Sequence, residues 1–151
     1  MQSYSLSLRK ITNLNKTELI ERANRSSKNT LMETLKIRYT DIGEDYVVAE
    51  MPVSSAVSQP MGLLHGGANM ALAESVGSLG SFVLLNDPTI GVVGLEINGN
   101  HIKSTKSGKV IARGELIHKG RSTHVWEIKI RNETNDLLSV CRMTNMIIRK
   151  S

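Results

Sequence analysis

Residues 65–85 read HGGANMALAESVGSLGSFVLL, and the reading of this run decides the fold. Leu72, Val76, Leu79 and Val83 fall at i, i+4, i+7 and i+11, an apolar stripe with helical period. Glu74, Ser78 and Ser81 fall at i, i+4 and i+7 on another face, which reads as the lining of a cleft. Asn86-Asp87-Pro88 ends the helix. The run is crowded with Gly, Ala and Ser, and each interior glycine costs about 1 kcal/mol relative to alanine. Close packing recovers that cost, and a curved sheet wrapped around the helix is one arrangement that provides it.

The flanking sequence supplies such a sheet. Upstream, residues 14–23 predict a short helix with Asn15 as N-cap and Glu18 three residues on. Leu35, Ile37 and Tyr39 alternate with Lys36 and Arg38 as a strand, Asp41-Ile42-Gly43 marks a turn, and residues 46–53 complete a hairpin. Downstream, Val93, Leu95 and Ile97 alternate with Gly94, Glu96 and Asn98. The alternation runs on to Ile102, which favours a strand with a bulge at Asn98-Gly99 over a hairpin turn there. Residues 109–118 form another strand, and residues 123–130 place His124, Trp126, Ile128 and Ile130 on one face. A turn at 132–136 leads into a last strand at 137–148. Two strands, one long helix and then only strands imply an antiparallel sheet with the helix on one face, an α+β fold.

Composition bounds the function. The 151 residues are 40% hydrophobic and 22% charged, which fits one ordinary globular domain and excludes a largely disordered chain. Uninterrupted apolar runs are short, residues 82–85 being typical, and the N-terminus lacks the apolar core of a signal peptide, so a cytoplasmic location is expected. The lone Cys141 reads as a buried thiol, and no His or carboxylate spacing suggests a metal site. The formal charge is +5, and residues 101–121 hold Lys103, Lys106, Lys109, Arg113, Lys119 and Arg121 against Glu115 alone. Such a stretch is either a solvated strand face or the footprint of a polyanionic ligand. Aromatic content of 3% argues against stacking on single-stranded nucleic acid, leaving a phosphorylated small molecule as the best functional reading.

The chemistry centres on the same helix. Gln59-Pro60-Met61-Gly62-Leu63-Leu64-His65-Gly66-Gly67 leads into it, and glycines at a helix start leave backbone N–H groups uncovered beside the positive end of the dipole. This is either a plain Gly-rich turn or a site for an anion or developing oxyanion. Glu74, within an apolar helix, is either a residue of the outer face or a general base or nucleophile in the cleft. His118 and His124 read as ordinary strand residues. Gly66 and Glu74 are eight residues apart, about 12 Å along one helix, so one carbonyl does not readily contact both. Two antiparallel helices related by a two-fold axis would pair Gly66 of one chain with Glu74 of another.

QPMGLLHGG followed by ALAESVGS resembles the hot-dog-fold acyl-CoA thioesterases, and the similarity extends over residues 10–148 through DIGEDYVVAEMPV and VVGLEINGNHIKS. The branch it resembles contains 1,4-dihydroxy-2-naphthoyl-CoA hydrolase and the proofreading thioesterase of enterobactin synthesis. The resemblance implies a single hot-dog domain over residues 1–151, residues 1–30 being an N-terminal extension with a short helix. It assigns the Gly66 N–H as oxyanion donor, Gln59 and His65 as positioning the thioester, Glu74 as base or nucleophile, and Ser78 as orienting the carboxylate or water. It places His101, Lys103, Arg121 and Ser122 on the substrate, although Gly120-Arg121-Ser122-Thr123-His124 departs from the Ser-Arg-His order of close relatives. The implied reaction is hydrolysis of an aryl or otherwise compact acyl-CoA, with no cofactor beyond the coenzyme A of the substrate, no nucleic acid and no membrane. The implied assembly is a homodimer or homotetramer with shared active sites. Hydrolysis of a carrier-protein thioester and non-catalytic acyl-CoA binding remain the alternatives; the intact Glu74 and His65-Gly66 speak against the second.

Overall fold

A computed structural model describes residues 15–87 and 89–149. Helix α1 (Lys16–Ser26) opens on a capping box: the Glu18 N–H donates to Asn15 Oδ1 at 3.0 Å and the Asn15 N–H donates to Glu18 Oε2 at 3.1 Å. The expected first residue, Leu14, lies outside the described residues. A one-turn helix α2 (Leu31–Thr34) precedes strand β1 (Arg38–Ile42). This corrects the expected strand start at Leu35: Leu35 caps α2 and Lys36 takes φ +56, so the chain turns before it extends. Three alternating residues are too few to separate a strand from a helix end followed by a kink. Asp41 and Ile42 also lie inside β1 rather than in a turn, because Asp41 is held by Lys16 and accepts from the Tyr46 hydroxyl at 3.0 Å.

Strand β2 (Tyr46–Pro52) pairs with β1, and a loop with a short 3-10 turn leads to helix α3 (Gly66–Leu85). Strands β3 (Ile90–His101), β4 (Lys109–Lys119), β5 (Thr123–Asn132) and β6 (Leu137–Arg149) follow. They form one antiparallel sheet in the order β1-β2-β4-β5-β6-β3. In length and composition α3 is apolar enough to cross a bilayer, yet strands β2 to β6 all pack against it. Asn86, in the left-handed conformation, ends the helix; Pro88 lies outside the described residues.

The glycines of α3 recover their cost as expected. A Cβ on Gly80 would lie 2.4 Å from Trp126 Cη2, and one on Gly77 would lie 2.8 Å from Met143 Sδ. The indole therefore lies flush against the helix backbone, and Leu72, Val76, Trp126, Ile128 and Met143 fill the core. Ser81 belongs to this core and not to a cleft shared with Glu74. Its hydroxyl accepts from Trp126 Nε1 at 2.8 Å and from Asn145 Nδ2 at 2.9 Å. The seven-residue spacing drifts by about 20° per heptad, and the sheet closes over this end of the helix. Cys141 is buried, and burial pushes its thiol up to about 11.

Sheet order leaves β3 at an edge, opposite β6, with Val93 and Leu95 exposed. Its bulge falls between Gly94 and Glu96, not at Asn98-Gly99. Gly99 keeps register with Cys141, and its missing side chain is replaced by Met70, whose Cε would lie 2.4 Å from a Cβ there. One antiparallel sheet packed around one long helix is the arrangement that the resemblance to the hot-dog family implies.

Candidate active site

The residues singled out in the sequence separate into two groups along α3. The first gathers at its N-terminus. His65 is the N-cap, and its Nδ1 accepts from the Gly67 N–H at 2.8 Å. Of the two glycine amides expected to be uncovered, one is thus satisfied by the adjacent imidazole. The Gly66 N–H meets no acceptor among the described residues and keeps its place at the positive end of the helix. His65 works here as a cap, on an exposed side chain.

Gln59 lies on the preceding loop. Its N–H donates to the Leu63 carbonyl at 2.8 Å, its carbonyl accepts from the Gly62 N–H at 2.8 Å, and its side-chain oxygen accepts from the Met61 N–H. Gly62 closes this turn at φ +74, where a side chain is strained. The loop is pinned to the body by the Leu64 N–H on the Thr105 carbonyl and the His65 N–H on the Val57 carbonyl, both at 2.9 Å.

Gly66, His101 and Lys103 line one pocket of about 290 Å³. A Cβ on Gly66 would lie 2.4 Å from His101 Nε2, so only glycine lets the imidazole lie against the helix start. His101 Nδ1 lies 2.9 Å from Ser139 Oγ, and Asn69 Nδ2 donates to the same oxygen at 3.1 Å. Neither Asn69 nor Ser139 was singled out in the sequence; the spacing Gly66 to Asn69, one turn of helix, was the available signal. Lys103 pairs with Asp136 at 2.8 Å. That ammonium first, then Asn132 and Thr134, hold the Asp136 carboxyl down to about 2.

The second group lies farther along the helix. Glu74 and Ser78 line an apolar cavity of about 710 Å³ between α1, α3 and the start of β3. Leu19, Leu79, Phe82 and Val83 form much of its wall. Glu74 is exposed in the single chain, and its carboxylate has no hydrogen bond or ion pair among the described residues. A Cβ on Gly94 would lie 2.8 Å from Glu74 Oε1, so the glycine at the β3 bulge is what admits the carboxylate against the strand. In the sequence alone Gly94 is one residue of an alternating run and gives no sign of this role.

Arg121 and Ser122 are exposed in the β4–β5 turn, where the Ser122 carbonyl accepts from the Ile147 N–H at 2.8 Å. That turn neighbours Met146, whose partner on β3 is Val93. His101 is eight residues farther along β3, about 26 Å away at strand rise, so one chain does not bring Arg121 and Ser122 to His101 and Lys103. The basic stretch is likewise dispersed. Lys109 pairs with Glu50, and Arg113 pairs with Glu115 and stacks on Tyr46 at 4.0 Å. Val110, Ala112 and Gly114 face α3, so Arg113 points from the opposite side of the sheet and is no part of the site. Among the described residues no group of His, Cys, Asp or Glu is arranged to hold a metal ion.

The family model described as the thioesterase superfamily matches residues 61–139. The chain is 40% identical over 129 residues to 1,4-dihydroxy-2-naphthoyl-CoA hydrolase of Escherichia coli, covering 85% of this chain and 94% of that protein. Among solved structures, a thioesterase from Pseudomonas aeruginosa superposes with a TM-score of 0.85 at 38% identity, covering 87% of this chain and 94% of the other. A thioesterase from Haemophilus influenzae gives 0.83 at 43% identity, covering 86% and 90%.

Proposed function

Because the chain belongs to the thioesterase superfamily and thioester hydrolysis is its class of reaction, we propose that it cleaves an acyl-CoA whose acyl group is aryl or otherwise compact. The observation that carries this reading is the unpaired Glu74 carboxylate on the wall of a large apolar cavity. An apolar acyl group fills the cavity and brings its carbonyl carbon to the carboxylate. Glu74 either takes a proton from the attacking water or attacks the carbonyl itself. In the first route the carbonyl oxygen gains negative charge as hydroxide adds, the C–S bond breaks, and the thiolate takes the proton held by Glu74. In the second the thiolate leaves a mixed anhydride on Glu74, which water then hydrolyses to the free acid, restoring the carboxylate and supplying the thiolate's proton. Ser78, one turn beyond Glu74, orients the carboxylate or the water.

The oxyanion donor is the Gly66 N–H, and it comes from a second copy of the chain. Two features support this: the helix separation of about 12 Å, and the long β3 edge with its exposed Val93 and Leu95, a surface that calls for a pairing strand. In a two-fold dimer, Gln59, His65, Gly66, His101 and Lys103 of one chain meet Glu74, Ser78, Arg121 and Ser122 of the other. Lys103, with Lys106 three residues on, and Arg121 then flank the nucleotide of the substrate. E. coli 1,4-dihydroxy-2-naphthoyl-CoA hydrolase acts on an aryl thioester of this kind, as its name states.

A hydrolysis screen over aryl-, short- and long-chain acyl-CoA esters and the same acyl groups on a carrier protein tests the reading. The expected result is the highest kcat/KM for an aryl-CoA ester. Preference for a carrier-protein thioester would move the assignment to that substrate, and binding without turnover would make the protein a sensor.

A further inference from the structure

Asn69, Ser139 and His101 form a chain of hydrogen bonds that ends at the Gly66 pocket, and the proton on each atom follows from the one before. Asn69 and Ser139 are buried, at 5% and 0% exposure. Asn69 Nδ2 donates to Ser139 Oγ at 3.1 Å. The Ser139 hydroxyl has one proton of its own, and His101 Nδ1 at 2.9 Å is the acceptor in reach among the described residues. An imidazole that accepts at Nδ1 carries its proton on Nε2. That nitrogen is the atom nearest Gly66, 2.4 Å from where a Cβ would stand.

The amide orientation has its own support. As placed, the Asn69 group left buried without a partner is the carbonyl oxygen, Oδ1. Turned over, the amide would bury an unpartnered N–H instead, and orphaned donors are rarer in proteins than under-satisfied carbonyls. The turned amide would also reverse the whole chain, taking the Ser139 proton and leaving His101 Nε2 bare.

We infer that Asn69 and Ser139 are positioning residues that lock His101 in its Nε2–H form, so that His101 gives the thioester oxygen a second donor beside the Gly66 N–H. Three elements build the device: α3 contributes Asn69 and Gly66, the end of β3 contributes His101, and its register partner on β6 contributes Ser139. A donor fixed before the substrate arrives needs no reorganisation when charge develops on the oxygen. The inference rests on the thioesterase reading for the identity of that oxygen, and on geometry alone for the tautomer.

Asn69→Asp tests it by changing one atom. A carboxylate only accepts, so it takes the Ser139 proton, Ser139 Oγ then accepts from His101 Nδ1–H, and Nε2 faces the substrate oxygen with a lone pair. The ¹⁵N shifts of the His101 ring, read at about pH 8.5 to keep imidazoles neutral, separate the two forms. The expected result is protonated Nε2 in the wild type and protonated Nδ1 in Asn69→Asp. kcat for the best thioester should fall on the order of 10- to 100-fold with KM changed less than about threefold, the pattern of a lost transition-state donor. In a His101→Ala background the same substitution should lower kcat no further.

Ser139→Ala, which adds no buried charge, is the second variant. It should give a mixture of the two ring forms and a smaller loss. The same ring form in all three proteins, or an equal loss of kcat with and without His101, would overturn the inference. A wild-type protein inactive on every thioester would overturn the reaction reading instead, while the ring shifts would still decide the tautomer.

Discussion

The two halves of α3 are built on opposite principles. At the N-terminus the groups are polar and wired: a free backbone donor, a capped neighbouring amide, and an imidazole tied through Ser139 to Asn69. Eight residues on, Glu74 stands on an apolar wall with no hydrogen bond or ion pair among the described residues, and the absence of a side chain at Gly94 makes room for it. The donors are held before substrate binds, whereas the carboxylate is left without partners. A fixed donor is useful when charge appears on the substrate, and an unpaired carboxylate keeps its lone pairs for a proton or a carbonyl carbon. The helix keeps the two about 12 Å apart, which is why the proposed reaction takes one half from each of two chains.

The sharpest break of this comparison is at the carboxylate. Glu74→Gln preserves shape and removes the base, so kcat should fall on the order of 10² to 10⁴ while KM changes little. A variant retaining a tenth or more of wild-type kcat would refute the assignment. The donor half is broken at both of its donors by Gly66→Pro. Proline is well tolerated at the first helical position; it removes an N–H that has no acceptor among the described residues, and its ring displaces His101. kcat should fall about 10²- to 10³-fold with the helix retained by circular dichroism.

The charged residues at the two ends predict a weaker effect. If Lys103, Lys106 and Arg121 meet the nucleotide, raising salt should increase KM several-fold and leave kcat nearly constant. A truncated thioester without the nucleotide should lose that dependence. Equal salt sensitivity for both substrates would return these residues to the role of a solvated surface.

How much of this division was legible in the sequence depends on distance along the chain. α3, its end at Asn86 and the succession of strands along the chain were readable because period and punctuation are local. The packing of Gly77 and Gly80 was readable as a cost that needed recovery, though not as Trp126 in particular. What failed were inferences that treated a run of residues as one place. Residues 101–121 looked like a single basic patch, but a strand of β4's length carries its ends apart and turns Arg113 to the far face. Ser81 looked like a partner of Glu74, but the sheet buries one and leaves the other exposed. Asn69 and Ser139 stood seventy positions apart, and no local pattern joins them.

His124 gives the smallest and most separable effect. It is fully buried, and neither ring nitrogen has a hydrogen-bond partner among the described residues. Burial first, then the charges of Lys119 and His118, hold its pKa below the ordinary imidazole value. The folded state therefore binds fewer protons than the unfolded chain below about pH 6.5, so stability falls as pH drops through that region. The wild-type Tm should drop between pH 7 and pH 5 by about 2–4 °C more than that of His124→Leu. Parallel curves would show that the imidazole is not the acid-sensitive group.

The division of α3 into two half-sites is tested most directly by mixing subunits of Gly66→Pro with subunits of Glu74→Ala, each nearly inactive alone. If the halves come from different chains, every mixed dimer holds one site with both defects and one with neither. Random exchange makes half the dimers mixed, so about a quarter of all sites should regain activity. Mass spectrometry that shows complete exchange with no recovered turnover would place donor and carboxylate in the same chain and contradict the account.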